Sequence, residues 1–154
     1  MKLSDFDFRI WSELENGYIE YPALAKLSSV LPAKSYYVNE LIPCVKFDQR
    51  DDKKELELWT GYYDIDGKKI YENDIVEYQE NEALMIKYIK GAFYACQDYK
   101  KFMKKYECQD NKDTERFWLE EAYKICNLKI DDNNFIARFE VIGNIHENEN
   151  LLLG

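Results

Sequence analysis

Histidine is nearly absent from this sequence, with His146 alone among 154 residues. A Cys-His or Ser-His pair has only this residue to draw on, and it sits beside Glu147 and Glu149. Cysteine is sparse and unpaired. Cys44, Cys96, Cys108 and Cys126 form no Cys-x-x-Cys, whereas a structural zinc site needs close ligand pairs that pre-form half the tetrahedron. The six glycines are scattered singly, so there is no G-x-G-x-x-G and no phosphate-cradling loop. Apolar runs fall short of the ~18 residues that span a bilayer, and the opening Met-Lys-Leu-Ser-Asp-Phe-Asp has no apolar signal core. The expectation is a cytoplasmic protein without membrane contact, metal or cofactor. Its thiols are expected to be free and buried as small hydrophobes.

Rings and acids are plentiful instead. Thirteen Tyr, eight Phe and three Trp make 16% of the chain, which disordered sequences do not carry. Thirty acids against 21 bases give a net charge of −9, which disfavours coating nucleic acid through its phosphates. The charge is segregated. Residues 51–82 hold eleven acids and four bases, residues 131–154 five acids and one base, and residues 87–105 six bases and one acid.

Hydrophobic period and turn residues predict a mainly β (α+β) chain. Phe6, Phe8 and Ile10 alternate with Asp7 and Arg9, and Asn16-Gly17 returns the chain as a hairpin. Pro22 suits the first position of a short helix over residues 23–30. Residues 36–47 read as extended and residues 49–54 as a solvated loop. Leu56 and Leu58 alternating with Glu55 and Glu57 predict a strand, followed by a turn at Asp64-Ile65-Asp66-Gly67 and a strand at Ile75-Val76-Glu77-Tyr78. A further hairpin turns at Lys90-Gly91. From Gln97 the period lengthens. Tyr99, Phe102, Met103 and Tyr106 predict one amphipathic helix, and Asp113 or Thr114 caps a second that runs to about Cys126. Period two returns from Phe135 to Val141, Gly143-Asn144 is read as breaking that strand, and the last residues form one helical turn.

Three segments resemble a known family. Trp-Thr-Gly-Tyr-Tyr-Asp-Ile-Asp-Gly-Lys-Lys-Ile-Tyr-Glu-Asn-Asp-Ile-Val-Glu-Tyr, from Trp59, is similar to the YopX core motif, Thr-Gly-Leu-x-Asp-x-x-Gly-x-x-Ile-Tyr-Glu-Gly-Asp-Ile-Val. Glu-Val-Ile-Gly-Asn-Ile-His-Glu-Asn-Glu-Asn-Leu-Leu, from Glu140, resembles the C-terminal signature of that family, and Phe8-Arg9-Ile10-Trp11 its opening. Trp59, Thr60, Gly61, Gly67, Ile70, Tyr71, Glu72, Asp74, Ile75, Val76, Gly91, Phe93, Ile142, Gly143, Asn144 and Glu147 occupy its motif positions. Tyr62 stands where Leu is usual, Asn73 where Gly is usual and His146 where Tyr is usual. The resemblance implies a phage or prophage protein of uncharacterised function, built on a small, strongly bent SH3-like barrel. The chain then reads as a single domain, 1–154. Residues 1–50 form an extended and hairpin region, 55–96 and 128–153 the barrel core, and 97–127 a helical insertion.

The carboxylates Asp64, Asp66, Glu72 and Asp74 suggest an acid–base pair or a metal site, but a calcium loop would need ligands where Tyr62 and Asn73 stand. They read better as turn residues. Tyr71 is a candidate stacking platform but reads better as a core ring. Lys100, Lys101, Lys104 and Lys105 make a basic face on an acidic chain. The function expected is therefore a non-catalytic module that forms homo-oligomers and binds a host or phage protein. The alternative is nucleic-acid or nucleotide binding through Tyr71 and the lysine face.

Overall fold

The computed structural model describes residues 6–20, 23–25, 44–46, 53–79 and 82–152. The described chain is mainly β with two α-helices. It divides into two compact units, Phe8–Glu57 and Leu58–Gly154 with Met1–Asp7.

In the first unit, β1 (Phe8–Ser12) and β2 (Gly17–Tyr18) form the N-terminal hairpin, Trp11 opposite Tyr18. Asn16 turns the chain at φ 48°, a left-handed conformation its short polar side chain tolerates. β3 (Ala23–Ala25) and β4 (Cys44–Lys46) pair in parallel. This corrects the helix expected from Ala23. Proline fixes φ but suits an extended entry as well as a helical one, and the partner strand decides. Residues 26–30, 36–43, 47 and 49–52, for which helix, strand or loop was expected, lie outside the described residues. The first residues of β5 (Lys54–Tyr63) complete this unit. At Leu56 and Glu57 the burial is opposite to hydropathy, with Leu56 38% exposed and Glu57 fully buried. The Glu57 carboxylate accepts hydrogen bonds from Arg9 Nε at 2.6 Å and the Tyr18 hydroxyl at 3.1 Å, and the Arg9 guanidinium also lies over the Tyr18 ring. A buried carboxylate persists only when so matched.

In the second unit, the rest of β5 pairs antiparallel with β6 (Lys69–Tyr71), and the register shifts between Trp59 and Tyr63. Gly61 lies in that stretch with φ 89°. Thr60 fastens the pair, its hydroxyl donating to the Ile70 carbonyl at 2.8 Å. Between the strands Asp64 is buried, and its Oδ1 accepts the amides of Asp66 and Lys68. Gly67 holds φ 81° there. The next turn is built alike, since Asp74 Oδ2 accepts the Tyr71 amide at 2.8 Å and Asn73 sits at φ 65°. β7 (Asp74–Tyr78), β8 (Glu82–Ile89), β9 (Ala92–Cys96), β10 (Tyr123–Lys124) and β11 (Phe139–Asn144) form one curled half-barrel sheet in the order β10-β9-β8-β7-β11. Lys90 and Gly91 both have positive φ, as the tightest hairpin turns require.

Both faces of this sheet are covered. Val76, Leu84, Ile86, Ala95 and Phe139 pack with Ile70, Ile125 and Ile136 on one face. Ile75, Met85 and Cys96 pack with Leu152, Trp118 and Ala122 on the other. The helices α1 (Tyr99–Lys105) and α2 (Lys112–Glu121) lie between β9 and β10 in the chain. The cap of α2 is Asn111, whose side chain accepts the amides of Asp113 and Thr114. That displaces the expected Asp113 or Thr114 outward by two or three residues. The helix also ends at Glu121 rather than near Cys126, because Tyr123–Lys124 is drawn into the sheet as β10 beside β9. β11 starts at Phe139 rather than Phe135 and runs through Gly143-Asn144, absorbing a bulge after Val141 instead of breaking. Glu149–Leu152 forms the expected last turn as a 3-10 helix. Among the described residues no helix is long and apolar enough to cross a membrane.

The outer edge of β11 is occupied. Val141 N donates to Asp64 Oδ2 at 2.9 Å, and Ile65 N to the Phe139 carbonyl. Asp64→Asn leaves one acceptor for three amides and is expected to cost about 2 kcal/mol, measured by urea unfolding. A Cβ built on Gly143 would lie 2.5 Å from Asn148 Oδ1 and 2.9 Å from Asn148 Cβ. Gly143→Ala should therefore destabilise by roughly 1–3 kcal/mol through overpacking, while Gly91→Ala, with open space around it, should act only through its backbone strain.

Candidate functional site

The basic face is built on α1. Asp98 caps this helix, its carboxylate accepting the Lys101 amide at 2.8 Å. Phe102 anchors the inner side and is buried against Tyr106 and Phe117, with ring centroids 4.6 and 5.1 Å away. At about 100° per residue, fixing Phe102 inward turns Lys100 and Lys104 to the opposite side and leaves Lys101 and Lys105 nearer the inner side, and all four are exposed. Lys101 Nζ donates to the Leu152 carbonyl at 3.4 Å, and Lys105 Nζ lies 5.1 Å from the Tyr106 ring centre. Lys100, Lys104 and Lys105 make no ion pair among the described residues.

Beside this face runs a cleft of about 170 Å3 whose floor includes Leu84, Cys96 and Phe102. Trp118 walls it, fixed by its indole N–H donating to the Gln97 carbonyl at 2.8 Å. Tyr123, also on the wall, has its phenol pushed up from the usual value, first by partial burial and then by the charges of Glu82, Tyr78 and Glu121. Neighbouring space of about 290 Å3 is bordered by Lys101 and Lys105 together with Glu82 and Asp98.

Tyr71 stands on β6, a different element from the lysines. Its ring is half-buried and its hydroxyl donates to Asp7 Oδ2 at 2.7 Å, an oxygen that also receives Lys69 Nζ. Lys69 in turn lies over the Trp59 ring. The motif carboxylates are committed to backbone: Asp64 and Asp74 hold turns, and Glu72 Oε1 accepts the Tyr88 amide. Asn144 works in the same way, its Oδ1 accepting the amides of His146 and Glu147 while Nδ2 donates to Glu147 Oε2 at 2.6 Å. Ile75 and Val76 are buried, Ile142 is half-buried, and Phe93 packs on Tyr88. The hydrogen-bonded Glu57, Arg9 and Tyr18 were not legible as a group, since a Glu alternating with Leu carries the signal of a solvent-facing residue.

These features define a mainly β protein whose signature residues form turns, edges and core. The YopX protein family matches residues 7–153, and the chain belongs to that family. No curated protein matches the sequence.

The thiols differ in setting. Cys96 is buried, Cys108 half-buried and Cys126 exposed, all free. The expectation of burial therefore holds for Cys96 and is corrected for Cys126, which the 3-10 turn Ile125–Asn127 leaves on the surface while Ile125 faces the core. Cys44 has no described side chain. Burial pushes the Cys96 thiol up to about 12, outweighing the lowering by Lys87, and Asp98 adds to the rise. Below pH 9 this thiol is neutral whether the chain is folded or not. Above it the unfolded chain loses the proton that the fold retains, so stability falls as pH rises from about 9 towards 12. The urea midpoint of the native chain should fall more steeply over that range than that of Cys96→Ala. In the folded protein a thiol reagent should label Cys126 rapidly and Cys96 only on unfolding.

Proposed function

We propose that the chain is a non-catalytic accessory module, encoded by a phage or prophage, that acts in the bacterial cytoplasm by binding protein and by self-association. The observation that carries this reading is the lysine face of α1. Three exposed ammonium groups, without ion pairs among the described residues, stand together on a chain of net charge −9. Such a face attracts acidic groups, and a second copy carries exposed ones in residues 51–82, Glu55 and Asp66 among them. The same reading takes the curled sheet as an SH3-like barrel and α1 and α2 as an insertion that individualises it. Insertions on a rigid scaffold are a common place for function to diverge. A second reading has one observation in its favour. Tyr106, 38% exposed beside Lys105, pairs a ring with a cation as single-strand nucleic-acid sites do.

Light scattering on the eluting protein decides the first reading. At low ionic strength the mass should exceed that of one chain and fall towards it as salt shortens the screening length to ~10 Å at 0.1 M. Lys100→Glu with Lys104→Glu should give monomer at all salts. A native monomer throughout overturns self-association. Tight, salt-dependent binding of a single-stranded oligonucleotide, lost in the same variant, would favour the second reading.

A further inference from the structure

A second concave site shares no residue with the lysine face. Residue 130 bridges Ile136 in antiparallel fashion, and Asp131 closes the intervening loop by accepting the amides of Asn133 and Phe135. The chain then turns again, Phe139 N donating to the Ile136 carbonyl at 3.2 Å. These two turns bring Lys129 and Arg138, nine positions apart in sequence, to one opening of about 270 Å3, lined also by Tyr78, Leu128, Ile136 and Ala137. Its floor is apolar and closely packed. Ile136 is 2% exposed, and the Tyr78 ring is held edge-on by Phe139 at 5.3 Å and by Tyr123 at 4.9 Å. Lys129 and Arg138 are both exposed and make no ion pair among the described residues.

We propose that this cleft receives one bulky apolar side chain of an acidic protein segment, with carboxylates on either side of that side chain meeting Lys129 and Arg138. Size selects the anchor, because sites for whole small molecules run from roughly 300 to 1,000 Å3 and this one suits a single large side chain. Chemistry selects the flanks. No carboxylate lines the opening, and the two charged residues that do are both cations. Charge complementarity around an apolar anchor sets both register and specificity. The inference rests on the binding-module reading and names the class of partner.

The test uses the full chain and a fluorescein-labelled acetyl-Glu-Asp-Phe-Asp-Glu amide, read by anisotropy. Two control peptides replace Phe by Ala, or the four acids by Lys. The Phe peptide should bind the native chain about tenfold tighter than either control. Ala137→Glu, which fills the opening with like charge, and Arg138→Ala should each weaken it about tenfold with an unchanged circular dichroism spectrum. Lys100→Glu with Lys104→Glu should leave the affinity as it was. Equal binding of the Phe and Ala peptides, indifference to Ala137→Glu and Arg138→Ala, or no binding at all overturns the cleft proposal. Loss of binding only in the Lys100 and Lys104 variant moves the contact to α1: the cleft proposal then falls and the module reading stands.

Discussion

One buried carboxylate holds together what the chain keeps far apart. Asp64 Oδ1 closes its own turn on the amides of Asp66 and Lys68, and Oδ2 reaches Val141 N, 77 residues away. The two longest family signatures, around Trp59–Tyr78 and Glu140–Leu152, meet through this side chain. An ionised carboxylate buried without partners would be prohibitive, so the group is tolerable only when turn and strand are both in place. That coupling makes local geometry and long-range pairing conditional on each other. Asn73 extends the arrangement: its amide donates to Ile86, its carbonyl accepts from Ile145, and its Oδ1 accepts from Lys87 Nζ.

The chemistry follows from this use of acids. Asp64, Asp74 and Glu57 are all buried, the kind of residue that invites an acid–base interpretation. Yet each is engaged with amide, hydroxyl or guanidinium donors inside its own unit. A side chain that organises backbone in this way is a structural element with a charge. The surface carries, besides, lysines on a short helix and an opening where two turns set cations over an apolar floor.

Much of this was legible from residues alone, for identifiable reasons. The hairpins at Asn16-Gly17 and Lys90-Gly91 and the turn at Gly67 were readable because positive φ restricts residue type. The strands β7 and β8 were readable too, from short apolar runs bounded by turn residues rather than from alternation, since Ile75 and Val76, or Met85 and Ile86, are apolar on both faces. The inward Glu57 inverted the usual pattern because its partners Arg9 and Tyr18 are distant in sequence. Helix α2 looked longer than it is, since Tyr123 and Lys124 suit a helix locally and are claimed by β9. Ala23–Ala25 became a strand through Cys44–Lys46, a partner that local sequence cannot name. The lysine face was visible as a spacing. The Lys129 and Arg138 opening was not, because it exists only after two turns have closed.

The treatment of β11 bears on how copies of this chain could meet. Its outer edge offers the Phe139 carbonyl and the amides of Val141 and Asn144, and each is taken within the chain, by Ile65 N, Asp64 Oδ2 and Asn148 Oδ1. Side-chain oxygens thus play the part of a neighbouring strand along that border. A foreign strand arriving there finds these three groups already engaged, which disfavours ladder extension along this border, the route that leads towards insoluble aggregates. At these residues the border offers side chains rather than free Phe139, Val141 and Asn144 ladder groups, and contacts between charged side chains respond to ionic conditions.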